Sequence, residues 1–329
     1  MRAKTQRADK VKIKKIRWLW YNRLPEGKFG LIGGDPGTCK TFLTLYIIAI
    51  LTQGKHWPDC KNTNKACKAL ILSAEDDAED TIVPRLIAAG AKLSNIRILT
   101  GVKDNTKDDW FNLQKHIPVL EDILKKTPSL KIIVIDPLNA YLGGGDSHKD
   151  SDVRGILGPL IKLASKYNVT VLSVMHLNKS QKNAPMYRFI GGIGFMAAAR
   201  FSWLVERDRD NPEWLYFAPM KTNLSVSPTT MRFTISKGCV TFDKEEYRLT
   251  GSDLLCADKK IRKVDDAVLW LKDILSDGPK SFWTIQKKNK DRKNKRFTKG
   301  TIDRAKITLK IRPYKESKQH GQWVWALNT

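Results

Sequence analysis

Residues 33–42 combine the residue types that bind phosphate, namely glycines, a lysine and a threonine in the order GGDPGTCKTF. An apolar run precedes the segment and a long apolar segment follows it, which predicts a strand, a loop and a helix. The backbone N–H groups of such a loop point at an anion, and the helix N-terminus favours negative charge. Gly34 and Gly37 permit the turn, the Lys40 ammonium would reach the β and γ phosphates of ATP, and the Thr41 hydroxyl would ligate Mg²⁺. The predicted nucleotide-binding residues are Gly34, Asp35, Pro36, Gly37, Thr38, Cys39, Lys40, Thr41 and Phe42.

One position departs from the usual spacing G-x-x-x-x-G-K-[ST], because Cys39 stands where that pattern has glycine. A Cβ at this position would crowd the phosphate or restrict the backbone. We therefore expect an altered nucleotide affinity or turnover. Oxidation or alkylation of the Cys39 thiol with loss of activity is a further hypothesis.

Two acidic residues follow apolar runs further along the chain. Asp136 ends the run IIVID, where a carboxylate would orient Mg²⁺ through its water shell. Glu75 follows the run ALILSA, where a carboxylate could activate the attacking water. Asp76 and Asp77 are more typical of helix capping, and capping is also the alternative interpretation of Glu75.

The run VTVLSVMH ends with His176, which is either a structural residue or a contact to the γ phosphate. The segment that follows, 178–194, is basic and rich in glycine. Such a loop could grip a nucleic-acid backbone. Its candidate DNA-binding residues are Lys179, Lys182 and Arg188.

Apolar runs and amphipathic helical segments alternate in the body of the chain, which indicates an α/β fold with a mainly parallel sheet covered on both faces. After residue 201 shorter alternating strands predict antiparallel additions at one sheet edge. The predicted parallel strands are 29–33, 69–73, 96–99, 132–135 and 169–175. The predicted helices are 40–51, 81–89, 110–126 and 153–166, and the later strands are 202–206, 214–219, 231–235 and 240–242.

The charge of the chain is strongly positive and unevenly placed. The 329 residues carry a net charge of +25, with ten basic and two acidic residues in 1–28 and twenty basic and eight acidic residues in 257–329. Two basic ends on a nearly balanced body are typical of attachments that bind a polyanion, and solubility is the alternative explanation.

The same composition bears on the compartment. Five cysteines without a C-x-x-C pair favour a reducing environment, and no apolar run approaches the length of a membrane span. No signal-peptide segment follows the basic start. These features predict a cytoplasmic protein with no membrane partner.

Five segments stand in a characteristic order: GGDPGTCKT, LILSAEDD with PRLIAAGA, IIVIDPLNAYL, VMHLNKS and MKTNLS. Together they resemble the RecA-like ATPases of phages, plasmids and integrated elements, which include RepA-type hexameric replicative helicases. The resemblance covers about residues 18–245. It implies a RecA-like P-loop NTPase core that forms a homo-oligomer, usually a ring of six subunits, with ATP at the subunit interfaces and single-stranded DNA in the central channel.

By motif position the resemblance also implies roles for individual residues. Lys40, Thr41, Glu75, Asp136 and His176 would form the catalytic set, with Thr41 and Asp136 at the Mg²⁺ ion. Lys221 would enter the ATP site of a neighbouring subunit and stabilise charge on the transferred phosphoryl group. Arg200 and Arg207 are weaker candidates for that role, and an ordinary surface charge is the alternative for all three.

The C-terminal pattern resembles the small winged-helix domain that often closes proteins of this family. Segments 264–275, 282–290 and 301–309 suit helices, and 311–315 with 323–327 suit a two-stranded wing. Lys299, Arg304 and Lys306 would then face phosphates or the major groove. A tail that only stabilises an oligomer is the alternative. The predicted organisation is a basic arm at 1–17, an ATPase domain at 18–250 and a winged-helix domain at 257–329.

Three functions remain open at this level. The first is an ATP-driven replicative helicase of a mobile element with a separate primase as partner, since the chain contains no primase-like segment. The second is a non-motor ATPase switch that loads or protects DNA, which Cys39 slightly favours. The third is an initiator that binds duplex origin DNA through the C-terminal domain.

Overall fold

The computed structural model describes residues 3, 5–63, 65–104, 107–144, 149–178, 188, 193–292, 296–315 and 321–327. The chain forms two compact units, Met1–Ser252 and Asp253–Thr329. No helix in the described ranges is both long and apolar enough to cross a membrane.

A nine-stranded sheet forms the centre of the first unit. Six of its strands run parallel, in the spatial order β12-β3-β11-β10-β6-β7, and β13, β14 and β15 continue it antiparallel beyond β12. The parallel strands are β3 (Phe29–Gly34), β6 (Lys68–Ser73), β7 (Ile96–Ile98), β10 (Leu130–Asp136), β11 (Thr170–His176) and β12 (Phe201–Arg207). The antiparallel strands are β13 (Trp214–Thr222), β14 (Thr230–Ser236) and β15 (Cys239–Tyr247).

Helices connect the parallel strands and bury their apolar residues. Their bounds are α1 (Lys40–Gln53), α2 (Val83–Ala88), α3 (Ile117–Lys126), α4 (Asp150–Tyr167) and α5 (Ile193–Ala198). Helix α1 packs on β3, β6 and β10, and α4 packs on β11. Because every residue of β3 is buried, the strand needs the continuous apolar run that the sequence provides. The sheet is therefore mixed α/β with a mainly parallel core, as the sequence predicts.

The described part of this unit also contains three short hairpins: β1 (Trp18–Trp20) with β2 (Leu24–Pro25), β4 (His56–Trp57) with β5 (Cys60–Thr63), and β8 (Val102–Asp104) with β9 (Lys107–Asp109). The first two hairpins are held to each other. The Trp20 ring stacks on Trp57 at 4.2 Å between centroids, and Arg23 Nε donates to Asp59 Oδ2 at 2.7 Å. Arg23 is 2% exposed, and its ion pair with Asp59 compensates the charge that is buried there.

The predicted helix over 110–126 is wrong in its first half, because α3 begins only at Ile117. Residues 110–116 form a turn in which the Asn112 backbone N–H donates to His116 Nδ1. Pro118 lies in the first turn of α3, where its missing N–H costs nothing and its fixed φ favours a helix start.

The described residues of the second unit form three helices and a three-stranded sheet, and the first helix begins just before the unit boundary at Asp253. The helices are α6 (Gly251–Leu275), α7 (Phe282–Lys290) and α8 (Lys299–Thr308), and the strands are β16 (Lys280–Ser281), β17 (Tyr314–Lys315) and β18 (Trp323–Trp325) in the order β16-β18-β17. Ser281 caps α7 and Thr298 caps α8, each accepting a bond from the backbone N–H three residues on. A separate apolar core lies between these elements and includes Ala267, Leu271, Ile285, Ile302 and Trp325.

Candidate functional site: a P-loop at the end of the parallel sheet

The loop between β3 and α1 takes the shape that its glycines allow. Gly37 has φ +78°, in the left-handed region, and a Cβ on Gly34 would lie 2.5 Å from the Val205 carbonyl oxygen. Cys39 also lies in the left-handed region, with φ 59° and ψ 29°, immediately before the first residue of α1. The usual glycine at this position is therefore a conformational requirement, which Cys39 meets with strain of about 1–2 kcal/mol.

The Lys40 side chain lies inside the loop. Lys40 is 5% exposed, and its Nζ donates to the carbonyl oxygens of Gly34 at 3.0 Å and Asp35 at 2.8 Å. Burial lowers the pKa of Lys40, and the nearby carboxylates of Asp136 and Asp35 oppose that shift. The two bonds to backbone carbonyls hold the Lys40 amino group at the loop, where a cation would attract phosphate.

Thr41 and Asp136 meet across the sheet end, although 95 positions separate them in the sequence. The Thr41 hydroxyl donates to Asp136 Oδ2 at 2.7 Å. Asp136 is 8% exposed, and burial raises its pKa to about 6, opposed by the bond from Thr41. Asp136 reaches this point because β10 is one strand removed from β3, with β11 between them.

The Thr41–Asp136 pair fits a Mg²⁺ ion. A hydroxyl and a carboxylate are hard oxygen donors, and Mg²⁺ is usually held by one or two protein groups together with substrate phosphates and water. The described residues contain no group of three His, Cys, Asp or Glu side chains that would hold a metal unaided. The nucleotide would therefore have to supply part of the coordination.

Glu75 and His176 extend from the same sheet end. Glu75 follows β6, and His176 ends β11 and pairs with Gly34 of β3. His176 Nε2 lies 3.7 Å from Glu75 Oε1, and the Glu75 side chain is 61% exposed. His176 Nδ1 is buried and has no hydrogen-bond partner in the described part of the chain. The carboxylate of Glu75 is accessible to water and has a basic neighbour.

Asp76 and Asp77 do not cap a helix as the sequence predicts. Asp77 precedes a short π-helical turn, Ala78–Ile82, and makes no side-chain capping bond. Asp76 instead pairs with Arg85 at 2.8 Å, and the Arg85 guanidinium lies 4.5 Å from the centre of the Phe42 ring. The Arg85 cation thus links the acidic segment to the first turn of α1.

Two arginines contact the P-loop within the same chain, and the sequence predicts neither contact. Arg207 ends β12, and its Nη2 donates to the Gly37 carbonyl at 3.0 Å. Arg188 is 6% exposed, and its Nη2 lies 3.4 Å from Asp35 Oδ1. Arg188, a predicted DNA contact, is therefore buried beside the P-loop, and its contact with DNA stays a prediction. Arg207 lies at its own P-loop, which differs from a role in a neighbour's site.

Glu206 is a further residue that motif reasoning missed. Burial raises the pKa of Glu206, the nearby Asp35 raises it further, and Arg188 opposes the shift. The signal that could have found it is the Glu206–Arg207 pair at the end of the strand beside β3, since the ends of parallel strands share one edge.

Lys221 and Arg200 lie near the start of β12, at the end of the sheet opposite the P-loop. Arg200 directly precedes β12, and Lys221 pairs with Ser202 at the start of that strand. Lys221 Nζ donates to the Met196 carbonyl at 2.6 Å, and burial with the nearby Arg200 lowers its pKa. Both are separated from Arg207 and the P-loop by most of a strand, roughly 15–20 Å.

Of the remaining predicted DNA contacts, some lie outside the described residues and others lie on α8. Lys179 and Lys182 lie outside the described residues. In the second unit Lys299 and Arg304 are exposed on α8, while Lys306 Nζ lies 5.2 Å from the centre of the Trp325 ring. Lys306 is thus partly engaged by a cation–π contact within its own unit.

Comparisons with known proteins give the chain a family. No curated protein matches it. The solved structure of the RadB recombinase has a TM-score of 0.47 with this chain at 14% sequence identity, and the match covers 66% of this chain and 91% of that one. A family model described as the AAA domain matches residues 1–182, which include the P-loop, Glu75, Asp136 and His176. Because this match spans more than half of the chain, the chain belongs to the AAA domain family.

Proposed function

We propose that the chain is an ATP-driven motor on DNA, a hexameric ring-forming replicative helicase of a mobile genetic element. The observation that carries the proposal is the convergence of Lys40, the Thr41–Asp136 pair and the Glu75–His176 pair at one end of the sheet. This set contains each group that phosphoryl transfer to water needs: a cation at the phosphates, oxygen ligands for a metal and an accessible base.

The residues divide the reaction between them. Lys40 holds positive charge where the β and γ phosphates would lie and offsets the charge that develops as the terminal bond breaks. Glu75 accepts a hydrogen bond from the attacking water and receives its proton. His176, next to Glu75, restrains that carboxylate and senses the terminal phosphate. Thr41 and Asp136 would hold Mg²⁺, which as a Lewis acid withdraws charge from the phosphate oxygens.

Lys221 is proposed to act in a neighbouring subunit. Its position at the end of the sheet opposite the P-loop supports this role, because the residue lies too far from its own loop to contact the same nucleotide. Arg200, beside it, is the alternative cation. Arg207 is proposed to act within its own subunit, on account of its bond to Gly37.

The second unit is proposed to be a winged-helix domain that holds DNA. The support is its content of three helices and a small sheet, together with twenty basic against eight acidic residues in 257–329. Lys299, Arg304 and Lys306 on α8 would contact phosphates or duplex origin DNA. Lys179 and Lys182 would contact single-stranded DNA.

A second candidate function is a slow ATPase switch that loads DNA without displacing a strand. The strained conformation of Cys39 favours it, because a Cβ at this point of the loop restricts the backbone that must surround the phosphates. The two functions differ in whether hydrolysis accompanies strand displacement.

The proposal is tested by ATP hydrolysis with and without single-stranded DNA. We expect DNA to stimulate the wild-type rate and Lys40→Ala to reduce that rate about 100- to 1000-fold. Lys272→Ala, which removes an exposed lysine on α6, should leave it unchanged. Full turnover by Lys40→Ala would overturn the assignment of the site. A wild-type rate that DNA does not change would contradict a motor.

A further inference from the structure

A groove of about 410 Å³ lies in the second unit and belongs to no part of the ATPase site. Its lining combines two aromatic rings with three lysines and one amide. The lining residues are Phe282, Trp283, Gln286, Lys287, Lys290 and Lys299.

Helical spacing places most of this lining on one face of α7. Trp283, Gln286, Lys287 and Lys290 follow the pattern i, i+3, i+4 and i+7, so their side chains point the same way. The buried residues of the helix, Ile285 and Asn289, lie on the other face. The groove is therefore a solvent-facing surface of a helix whose opposite side is fixed in the core.

Hydrogen bonds also fix Lys299 beside that face. Asn289 exchanges two bonds of 3.0 Å with the backbone N–H and carbonyl of Phe297, and Thr298 caps α8. Lys299 is the first residue of α8 and so has a defined position relative to α7. The three lysines are thus carried by a rigid framework.

The groove combines an exposed aromatic ring with lysines that have no carboxylate partner among the described residues. Trp283 is 72% exposed, although a large indole normally gains from burial. In the described part of the chain none of Lys287, Lys290 and Lys299 forms an ion pair with a carboxylate. An uncovered aromatic ring surrounded by uncompensated cations matches a ligand with an apolar ring face and negative charge.

We propose that this groove binds an unpaired nucleotide of single-stranded DNA, with the base stacked on Trp283 and the adjoining phosphates at Lys287, Lys290 and Lys299. Every base presents a π face, so stacking is tolerant of sequence, and lysines follow the backbone. The volume suits one nucleotide. A paired base has both faces covered by its neighbours, so duplex DNA cannot stack in the groove.

This inference rests on the proposal that the chain acts on DNA, but it requires no nucleotide at the P-loop. The test uses the full chain without ATP and measures the anisotropy of a labelled oligo-dT strand and of a matched duplex. We expect Trp283→Ala to weaken oligo-dT binding about tenfold and Trp283→Phe to retain most of the affinity. Duplex binding should change less than twofold.

Two matched controls sharpen the comparison. Trp323→Ala removes another exposed indole of the same unit, which does not line the groove and should not change oligo-dT affinity. Lys288→Ala removes an exposed lysine of α7 outside the groove. Lys287→Ala and Lys290→Ala should each lower the slope of log affinity against log salt by roughly 0.7, whereas Lys288→Ala should not.

Several results would overturn the proposal. Equal effects of Trp283→Ala and Trp323→Ala, or equal losses on oligo-dT and duplex, would exclude stacking in this groove. A smaller assembly of Trp283→Ala by light scattering, with unchanged oligo-dT affinity, would identify the groove as a contact between copies. If the wild type hydrolyses ATP but binds no DNA, both the proposed function and the proposed nucleotide-binding groove are wrong. If it binds oligo-dT and Trp283→Ala binds equally well, only the groove fails.

Discussion

Lys40 and Asp136, at the P-loop end of the sheet, are buried and hydrogen-bonded, whereas the functional side chains of the groove in the second unit face solvent. Lys40 is 5% exposed and bonded to loop carbonyls, and Asp136 is 8% exposed and bonded to Thr41. Trp283 is 72% exposed. Charges that are buried and preorganised are suited to stabilising a transition state, while exposed charges and rings are suited to holding a long, flexible polyanion. The two regions should therefore respond to different perturbations.

The largest effect is expected for Lys40→Ala. Removing a buried, preorganised cation should reduce ATP turnover about 100- to 1000-fold, because the charge on the transferred phosphoryl group loses its partner. Oligo-dT binding without ATP should stay within twofold of wild type. A large loss of DNA binding in this variant would break the separation of the two regions.

The next largest effect is expected on the free energy of unfolding, which the buried Asp136 carboxylate lowers at neutral pH. Since burial raises the pKa of Asp136 to about 6 from 3.8, its protonated form stabilises the fold fully below pH 3.8, and that stabilisation is lost as the pH rises through 6. In EDTA, Asp136→Asn should match the wild type near pH 4 and exceed its free energy of unfolding by about 3 kcal/mol at pH 8. Urea unfolding at both pH values measures this difference.

The exposed Asp122, which pairs with Lys126 on α3, provides the control for that experiment. Asp122→Asn should show no comparable dependence on pH. If the free energies of unfolding of Asp136→Asn and wild type differ by the same amount at pH 4 and pH 8, burial does not favour the protonated form of Asp136.

Removal of 253–329 is expected to have an intermediate effect. The second unit has its own apolar core, so the first unit should keep its fold and its basal ATP hydrolysis. Oligo-dT affinity should fall about tenfold or more, and its salt dependence should become shallower, because the lysines of the groove are lost. An unchanged salt slope would locate DNA binding in the first unit instead.

The smallest effect is expected at Cys39. Cys39→Gly should raise the free energy of unfolding by about 0.5–1 kcal/mol, because glycine adopts the left-handed conformation without strain but costs more backbone entropy. Cys39→Ala keeps a Cβ and should show no gain. Equal stability of the two variants in chemical denaturation would show that the loop is not strained.

Much of the P-loop edge was predictable from sequence because each motif follows an apolar strand. Parallel strands end at the same edge, so Thr41 and Asp136 could be expected near each other before the 2.7 Å bond was seen. The need for glycine at residue 39 was also visible, although its cause, a left-handed backbone, required the structure.

The contacts of long polar side chains were not predictable. Arg207 reaches Gly37 and Arg188 reaches Asp35 across 170 and 153 positions, and no periodicity marks such pairs. The turn at 110–116 also interrupts an apparently continuous helical pattern, since the local bond between Asn112 and His116 outweighs weak helix propensity. The groove is not predictable from sequence, because a helical face with one indole and several lysines has the composition of an ordinary solvated surface.

Strand displacement is the most direct test of the central proposal. A forked duplex with one labelled strand is incubated with the full chain, ATP and Mg²⁺, and the released strand is measured for wild type and Glu75→Gln. The account predicts ATP-dependent release by the wild type, and ATP and DNA binding without release by Glu75→Gln. Wild-type protein that binds the fork and hydrolyses ATP but releases no strand, or Glu75→Gln that releases it at the wild-type rate, would contradict the account.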